Sequence, residues 1–130
     1  MSKSDSGGYA FNRTRRQYLA TRLAVAATHW SRLCGLVGKD PASFLQGRGL
    51  WIVPCRGVHT LGMRFPIDVV YLTKEKVIVH LEHSLPPWRF APVRFQAASV
   101  LELPTETVRS TGTTIGDQLE IDPAGEAAPA

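Results

Sequence analysis

Cysteine is scarce in this chain. Cys34 and Cys55 are too few for the disulfide framework of a small secreted scaffold, and both are expected as thiols in a reducing, cytoplasmic setting. Long apolar runs are missing as well. The best N-terminal stretch, YLATRLAVAATHW, falls short of the roughly 20 residues that cross a bilayer, and Arg22 reduces its apolar centre to LAVAA. Arg13, Arg15 and Arg16 precede it as in a signal peptide, but no small-residue cleavage site follows. The chain also lacks an internal repeat, a low-complexity block, a sustained heptad, a phosphate-cradling glycine loop and a nucleophile elbow. These absences exclude a helical membrane protein, a coiled coil and the common nucleotide-hydrolysing and serine-hydrolase designs.

Acidic residues are rare in one half only. Residues 1–64 carry ten Lys/Arg against Asp5 and Asp40, a net +8, whereas residues 65–130 carry five against nine, a net −4. Such asymmetry is compatible with a surface for nucleic acid or acidic lipid. The basic half shows no helix-turn-helix spacing or interleaved aromatic platform, so the favoured reading is a solvated tail. At 130 residues the chain supports one core. The expected division is a disordered basic tail over 1–17, a single domain over 18–122 and a Pro/Ala-rich C-terminal tail over 123–130.

What is present is β-strand patterning. LWIV (50–53), FPIDVVYL (65–72), VIVHLEHSL (77–85), SVLEL (99–103) and QLEI (118–121) are separated by Pro/Gly turns, and TKEK reads as a hairpin connection. In FPIDVVYL, Phe65, Ile67, Val69 and Tyr71 share one face, and Asp68, Val70 and Leu72 the other. Alternation in VIVHLEH sets Val77, Val79 and Leu81 against Ile78, His80 and Glu82, making His80 and Glu82 surface residues. In SVLEL it leaves Glu102 with Val100, opposite Leu101 and Leu103, as a rim or exposed carboxylate. Thr28 is placed to cap a helix over HWSRLCGLVG, and a second short helix is expected in ETVRSTG. The expected fold is mostly β: a compact antiparallel β-sandwich, jelly-roll-like, or a partial barrel, with one or two short helices.

Chemistry concentrates in GVHTLGMRFPIDVVYL, residues 57–72. Pro54, Gly57, Gly62 and Pro66 rule out a long helix, so HTLGM is a tight turn at a rim. Asp68 sits in a strand apolar on both faces and must find donors, the nearest being Arg64, Thr60, His59 and the turn's N–H groups. His59 and Asp68 are candidate catalytic residues as a general acid/base pair, with Thr60 or Cys55 as a nucleophile. Cys55, His59 and Met63 fall at four-residue steps and are the ligand types of a blue-copper centre, but a second histidine would have to come from elsewhere. No metal and no cofactor are therefore expected. PPWRFAPVR (86–94) places Trp88 beside Arg89, a flat apolar surface next to a cationic fork suited to a sugar, a nucleotide or an anionic group.

Taken in order, SRLCGLVG, GLWIVPCRGVHTLGMRFPIDVVYL, the PPWR turn, SVLELP and TGTTIGDQLEI resemble domain of unknown function 192 (DUF192), a family of small prokaryotic proteins, over residues 19–122. The positions that match its motif are His59, Thr60, Met63, Asp68, Pro87, Trp88, Glu102, Gly116 and Asp117. The resemblance implies a compact jelly-roll-like β fold and no particular activity. After LELP the chain departs from the usual pattern, with Thr105–Glu106 where a small residue and a glycine are common.

The resulting expectation is a non-enzymatic accessory protein that binds a small molecule or a protein partner. Its ligand-binding residues are drawn from His59, Thr60, Met63, Arg64, Asp68, Trp88, Arg89 and Glu102, with the pocket near His59, Asp68 and Trp88. The alternatives are a small hydrolase or isomerase using His59 and Asp68, and a protein that docks on nucleic acid through its basic N-terminal half.

Overall fold

The structure is a computed structural model that describes residues 7–28 and 35–123. Seven strands form one curled sheet, a half-barrel. They are β1 (Gly8–Asn12), β2 (Gln17–Ala26), β3 (Arg48–Ile52), β4 (Ile67–Leu72), β5 (Ile78–Leu85), β6 (Ser99–Pro104) and β7 (Leu119–Asp122). Their spatial order is β5-β4-β6-β3-β2-β1-β7. The two edges approach each other at one end, where Ile78 N–H donates to Asp117 O (3.0 Å) and Leu119 N–H to Lys76 O (2.9 Å). The partial barrel, rather than two stacked sheets, is thus the observed form. Its pairing is antiparallel except between β2 and β3, which run parallel. One short helix, α1 (Thr107–Thr111), follows β6 where ETVRSTG predicts it. The helix expected over 29–38 falls largely on residues 29–34, which lie outside the described residues; 35–38 form a turn.

The folded part begins before Tyr18. Residues 8–12, expected within a disordered tail, are strand β1, inserted between β2 and β7. The approach is close: a Cβ on Gly8 would lie 2.7 Å from Asp122 O, so only glycine fits. The arginines of RTRR belong to the β1–β2 turn. Arg13 Nη1 is 3.8 Å from Glu120 Oε1, and Arg15 Nε donates to Asp117 Oδ2 at 3.0 Å.

Alternation along β4 assigns its faces as the sequence does. Ile67, Val69 and Tyr71 join one apolar cluster with Ile52, Met63 and Val100, while Val70 and Leu72 join a second with Leu23, Leu101, Leu103 and Val108. Both faces of the central strands are covered, so Glu102 is buried, at 3 % exposure, and not a rim carboxylate. In β5 the strict alternation fails. Pairing passes from Tyr71↔His80 to Leu72↔Ile78 and skips a residue, so Val79 and Leu81 pack against different clusters. His80 and Glu82 are half-buried, with Nε2 and Oε2 2.6 Å apart, and the His80 ring meets Tyr71 edge-on.

Two buried carboxylates tie strands together. Asp68 accepts from Ser84 N–H and Val108 N–H, both at 2.9 Å, so β4 holds β5 and the start of α1. Asn, with one acceptor oxygen, leaves one of these N–H groups facing an NH2. Asp68→Asn is expected to lower the unfolding free energy by about 1–3 kcal/mol in urea titrations.

Asp117 joins the β1–β2 hairpin to β7. Asn12 Nδ2 (2.9 Å), Arg15 Nε (3.0 Å) and Thr114 N–H (3.0 Å) all donate to its Oδ2. Burial pushes this carboxyl up, but Arg15, Asn12 and the Thr114 N–H outweigh it and hold the group below its ordinary value of 3.8. With the folded value below the unfolded one, the stabilisation is present above the unfolded value and is lost as pH falls through the folded value. Denaturation measured from neutral pH downwards should show Asp117→Asn less stable near neutrality. It should also show a smaller loss than wild type on the acid side.

Candidate functional site

A cavity of about 280 Å³ opens on the Ile52–Met63 side of the sheet. Its walls are the turn Gly35–Val37, Ile52 at the end of β3, the segment Cys55–His59, Met63 and Glu102. Glycine and proline keep residues 53–66 extended or turning, so this segment lies across the sheet and contributes side chains. Gly62, with φ +78°, makes the turn that brings Met63 inward to 4 % exposure. Met63 N–H closes that turn on Thr60 O at 3.1 Å.

Glu102 comes from the middle of β6, between Leu50 of β3 and Val69 of β4. Its Oε1 is buried without a hydrogen-bond partner among the described residues. A Cβ on Gly35 would stand 4.0 Å from that oxygen, so the carboxyl faces the turn that walls the cavity. Burial alone pushes its pKa up to about 8. At neutral pH the group is mostly a neutral acid, able to donate one hydrogen bond and accept another.

His59 is fixed at the opening. Its Nδ1 accepts from Leu61 N–H at 3.2 Å, so in the neutral ring the proton sits on Nε2. The ring centroid is 6.5 Å from that of Phe90, and the two residues form a β-bridge. The wall thus offers a donor and an adjustable acid against otherwise apolar Leu36, Ile52 and Met63.

Of the residues singled out in the sequence, the structure brings Cys55, His59, Met63 and Glu102 to this cavity and sends Thr60, Arg64, Asp68, Trp88 and Arg89 elsewhere. Asp68 does not meet His59. It lies on the other face of β4, bonded to Ser84 and Val108, because the adjacent β5 backbone and the helix start offer N–H groups there. Thr60 is a staple: its hydroxyl donates to Pro86 O (2.6 Å) and accepts from Arg89 N–H (2.9 Å). Trp88 and Arg89 are exposed in the strap that this staple holds, and Arg64 is exposed beside Met63. Cys55, His59 and Met63 do line one cavity, and the Cys55 thiol donates to Gly57 O at 3.0 Å. Among the described residues no three His, Cys, Asp or Glu side chains group closely enough to hold a metal ion.

Sequence reasoning missed Ile52 and the Gly35–Val37 turn as walls, and it placed Glu102 at a rim. A signal existed for Glu102. Val100, on its face, is as apolar as Leu101 and Leu103 on the other, the mark of a strand buried on both sides.

The sequence pattern of DUF192, described as uncharacterized ACR, matches residues 10–121. The chain belongs to the DUF192 family. It is similar to the UPF0127 protein PF1050 of Pyrococcus furiosus, 29 % identical over 114 residues, which span 84 % of this chain and 94 % of that protein. Two crystal structures share the fold. One, a protein of unknown function from Novosphingobium aromaticivorans, has a TM-score of 0.74 at 15 % identity, covering 87 % of this chain and 82 % of that one. The other, from Sinorhizobium meliloti and described as a candidate transcription regulator, has a TM-score of 0.74 at 17 % identity, covering 88 % and 91 %. At these identities the likeness shows a shared fold alone.

The raised value of Glu102 has a consequence for stability. Between the ordinary carboxyl value of 4.5 and about 8, the folded state keeps a proton that the unfolded chain has released. Stability therefore falls as pH rises through that window and levels off above it, a loss of the order of a few kcal/mol. Glu102→Gln removes this titration. Its stability should be nearly flat from pH 5 to 9 apart from other groups, and it should exceed wild type at the alkaline end in guanidinium titrations.

Proposed function

We propose that this DUF192 chain is a non-enzymatic binding protein whose site is the cavity floored by Glu102, with His59 at its opening and Met63 in its wall. The proposed pocket keeps His59 but replaces Asp68 and Trp88 with Glu102. The observation that carries the reading is the buried Oε1, without a hydrogen-bond partner among the described residues and facing an open cavity. An unsatisfied buried polar atom costs about 1–3 kcal/mol, and a bound group that completes its hydrogen bonds recovers that. Because Glu102 is mostly protonated at neutral pH, the favoured ligand group is neutral and polar, an amide, carbonyl or hydroxyl, on a small apolar body.

A hydrolase or isomerase is less well supported. Asp68 is not available to orient His59, and the Thr60 hydroxyl is occupied by Pro86 O and Arg89 N–H. Docking on nucleic acid through the N-terminal half is also weaker than its charge implies, since Arg13 and Arg15 face Glu120 and Asp117. The cysteine content supports a cytoplasmic setting. Among the described residues no helix is long and apolar enough to cross a membrane.

Thermal-shift and calorimetric titrations should separate these readings. The probes are small neutral amides, lactams and alcohols, with carboxylates of the same shape as controls. Neutral probes should raise the melting temperature by mass action. Glu102→Leu, which fills the site without an acid, should abolish the shift while remaining folded. An equal shift in Glu102→Leu, or a preference for the carboxylates, rejects the proposed site.

A further inference from the structure

The strap over residues 86–95, PPWRFAPVRF, carries the three most exposed large apolar side chains among the described residues, Trp88, Phe90 and Phe95, and exposed Val93 between them. Trp88 is 65 % exposed, Phe90 73 %, Val93 59 % and Phe95 81 %. Flexibility does not account for this, because the strap is bonded along its length. Trp88 N–H donates to Thr60 O (2.9 Å), Thr60 N–H to Arg89 O (2.8 Å), Ala91 N–H to Val58 O (2.8 Å) and Arg94 N–H to Arg56 O (2.9 Å). Tyr71 Oη donates to Pro92 O at 2.6 Å. Trp88 is held at φ +65°, a left-handed conformation that a bulky aromatic residue rarely adopts. The backbone is thus fixed in a shape that turns these rings outward.

The same region is uniformly basic. The paired segments 54–66 and 86–98 contain Arg56, Arg64, Arg89 and Arg94 and no Asp or Glu, a local net charge of +4. None of the four forms an ion pair with a described residue. We propose that this strap docks on an anionic membrane surface, with Trp88, Phe90, Val93 and Phe95 entering the headgroup region and the arginines meeting lipid phosphates. Exposed aromatic rings alternating with arginine fit that interface, where one partner is both apolar and negatively charged. A second copy of the chain would set unneutralised arginines against arginines. A single-stranded nucleic acid would stack on the rings but has no use for Val93, which offers no flat face.

The test is cosedimentation with vesicles of phosphatidylcholine alone and of phosphatidylcholine with about one-third phosphatidylserine, with tryptophan emission recorded in parallel. The full chain should bind only the anionic vesicles, with a blue shift in emission, and should be released by salt. Arg89→Glu/Arg94→Glu should weaken binding roughly tenfold or more, and Phe90→Ser/Phe95→Ser should abolish the part that survives high salt. All these positions are exposed, and circular dichroism checks that each variant is folded. Glu102→Gln should bind vesicles as wild type does, so this outcome is independent of the proposed pocket. Absence of binding to anionic vesicles, equal binding by the variants, tighter binding of a single-stranded oligonucleotide, or a dimer lost in Phe90→Ser/Phe95→Ser without vesicle binding would each overturn the proposal.

Discussion

The structure depends on burying both faces of the β4–β6 pair. These two strands stand side by side in the sheet, and every residue of both is buried. A half-barrel supplies only one inner face by curling, so the cluster of Ile52, Met63 and Val100 on the opposite face has to be covered by connections rather than by another layer of strands. The turn at 35–37, the 53–66 segment and the strap with the two residues after it do this, contributing Leu36, Met63, Ala91 and Ala97 to the covered cluster. Covering of this kind works only if the loops' own polar groups are satisfied, because a buried, unpaired backbone group is as unfavourable as a lost hydrogen bond. The ladder between 56–60 and 88–94 meets that demand, and Thr60 closes it.

Because neither face reaches solvent, the polar residues of the two strands need partners within the protein. Asp68 and Glu102 are neighbours across one strand pair, with Asp68 opposite Leu103 and Glu102 opposite Val69. Their side chains point to opposite faces. On the Asp68 side, the β5 backbone at Ser84 and the first N–H groups of α1 are in reach. On the Glu102 side stand Gly35, whose conformation at φ +45° brings no side chain, and a cavity. Equal burial thus gives a structural carboxylate on one face and an acid pushed toward neutrality on the other.

Much of this was legible where one residue type decides. The face of every residue in PIDVVYL follows from period-two alternation, the TKEK hairpin from its length and polarity, and the α1 segment from its place between Pro104 and Gly116. The first two strands were not legible, because β1 is short, starts at a glycine pair and runs straight into the basic RTRR turn, and β2 reads as a broken apolar run with exposed Arg22 and Thr21. Their strand character comes from pairing with β7 and β3, which no local pattern announces. The skipped residue in β5 is likewise a property of its fit to β4. Of the candidate site, His59, Met63 and Glu102 could be named, but their meeting could not. It depends on the 53–66 segment folding back over the sheet beside residues 35–37, a contact distant in sequence.

The pocket and the strap are parts of one construction. His59 lines the cavity and bridges to Phe90, and Gly57, also in the wall, is close enough to Pro92 and Val93 that a Cβ would meet them at 3.2 Å. The ladder that fixes the exposed rings is therefore the same ladder that sets the position of the histidine at the opening. A rearrangement of the strap cannot leave Thr60 in place, since four of its hydrogen bonds run to Pro86, Trp88 and Arg89. Rigidity in this region is accordingly a requirement of the covered sheet, and the outward aromatic residues and the histidine of the cavity wall are presented by that single rigid element.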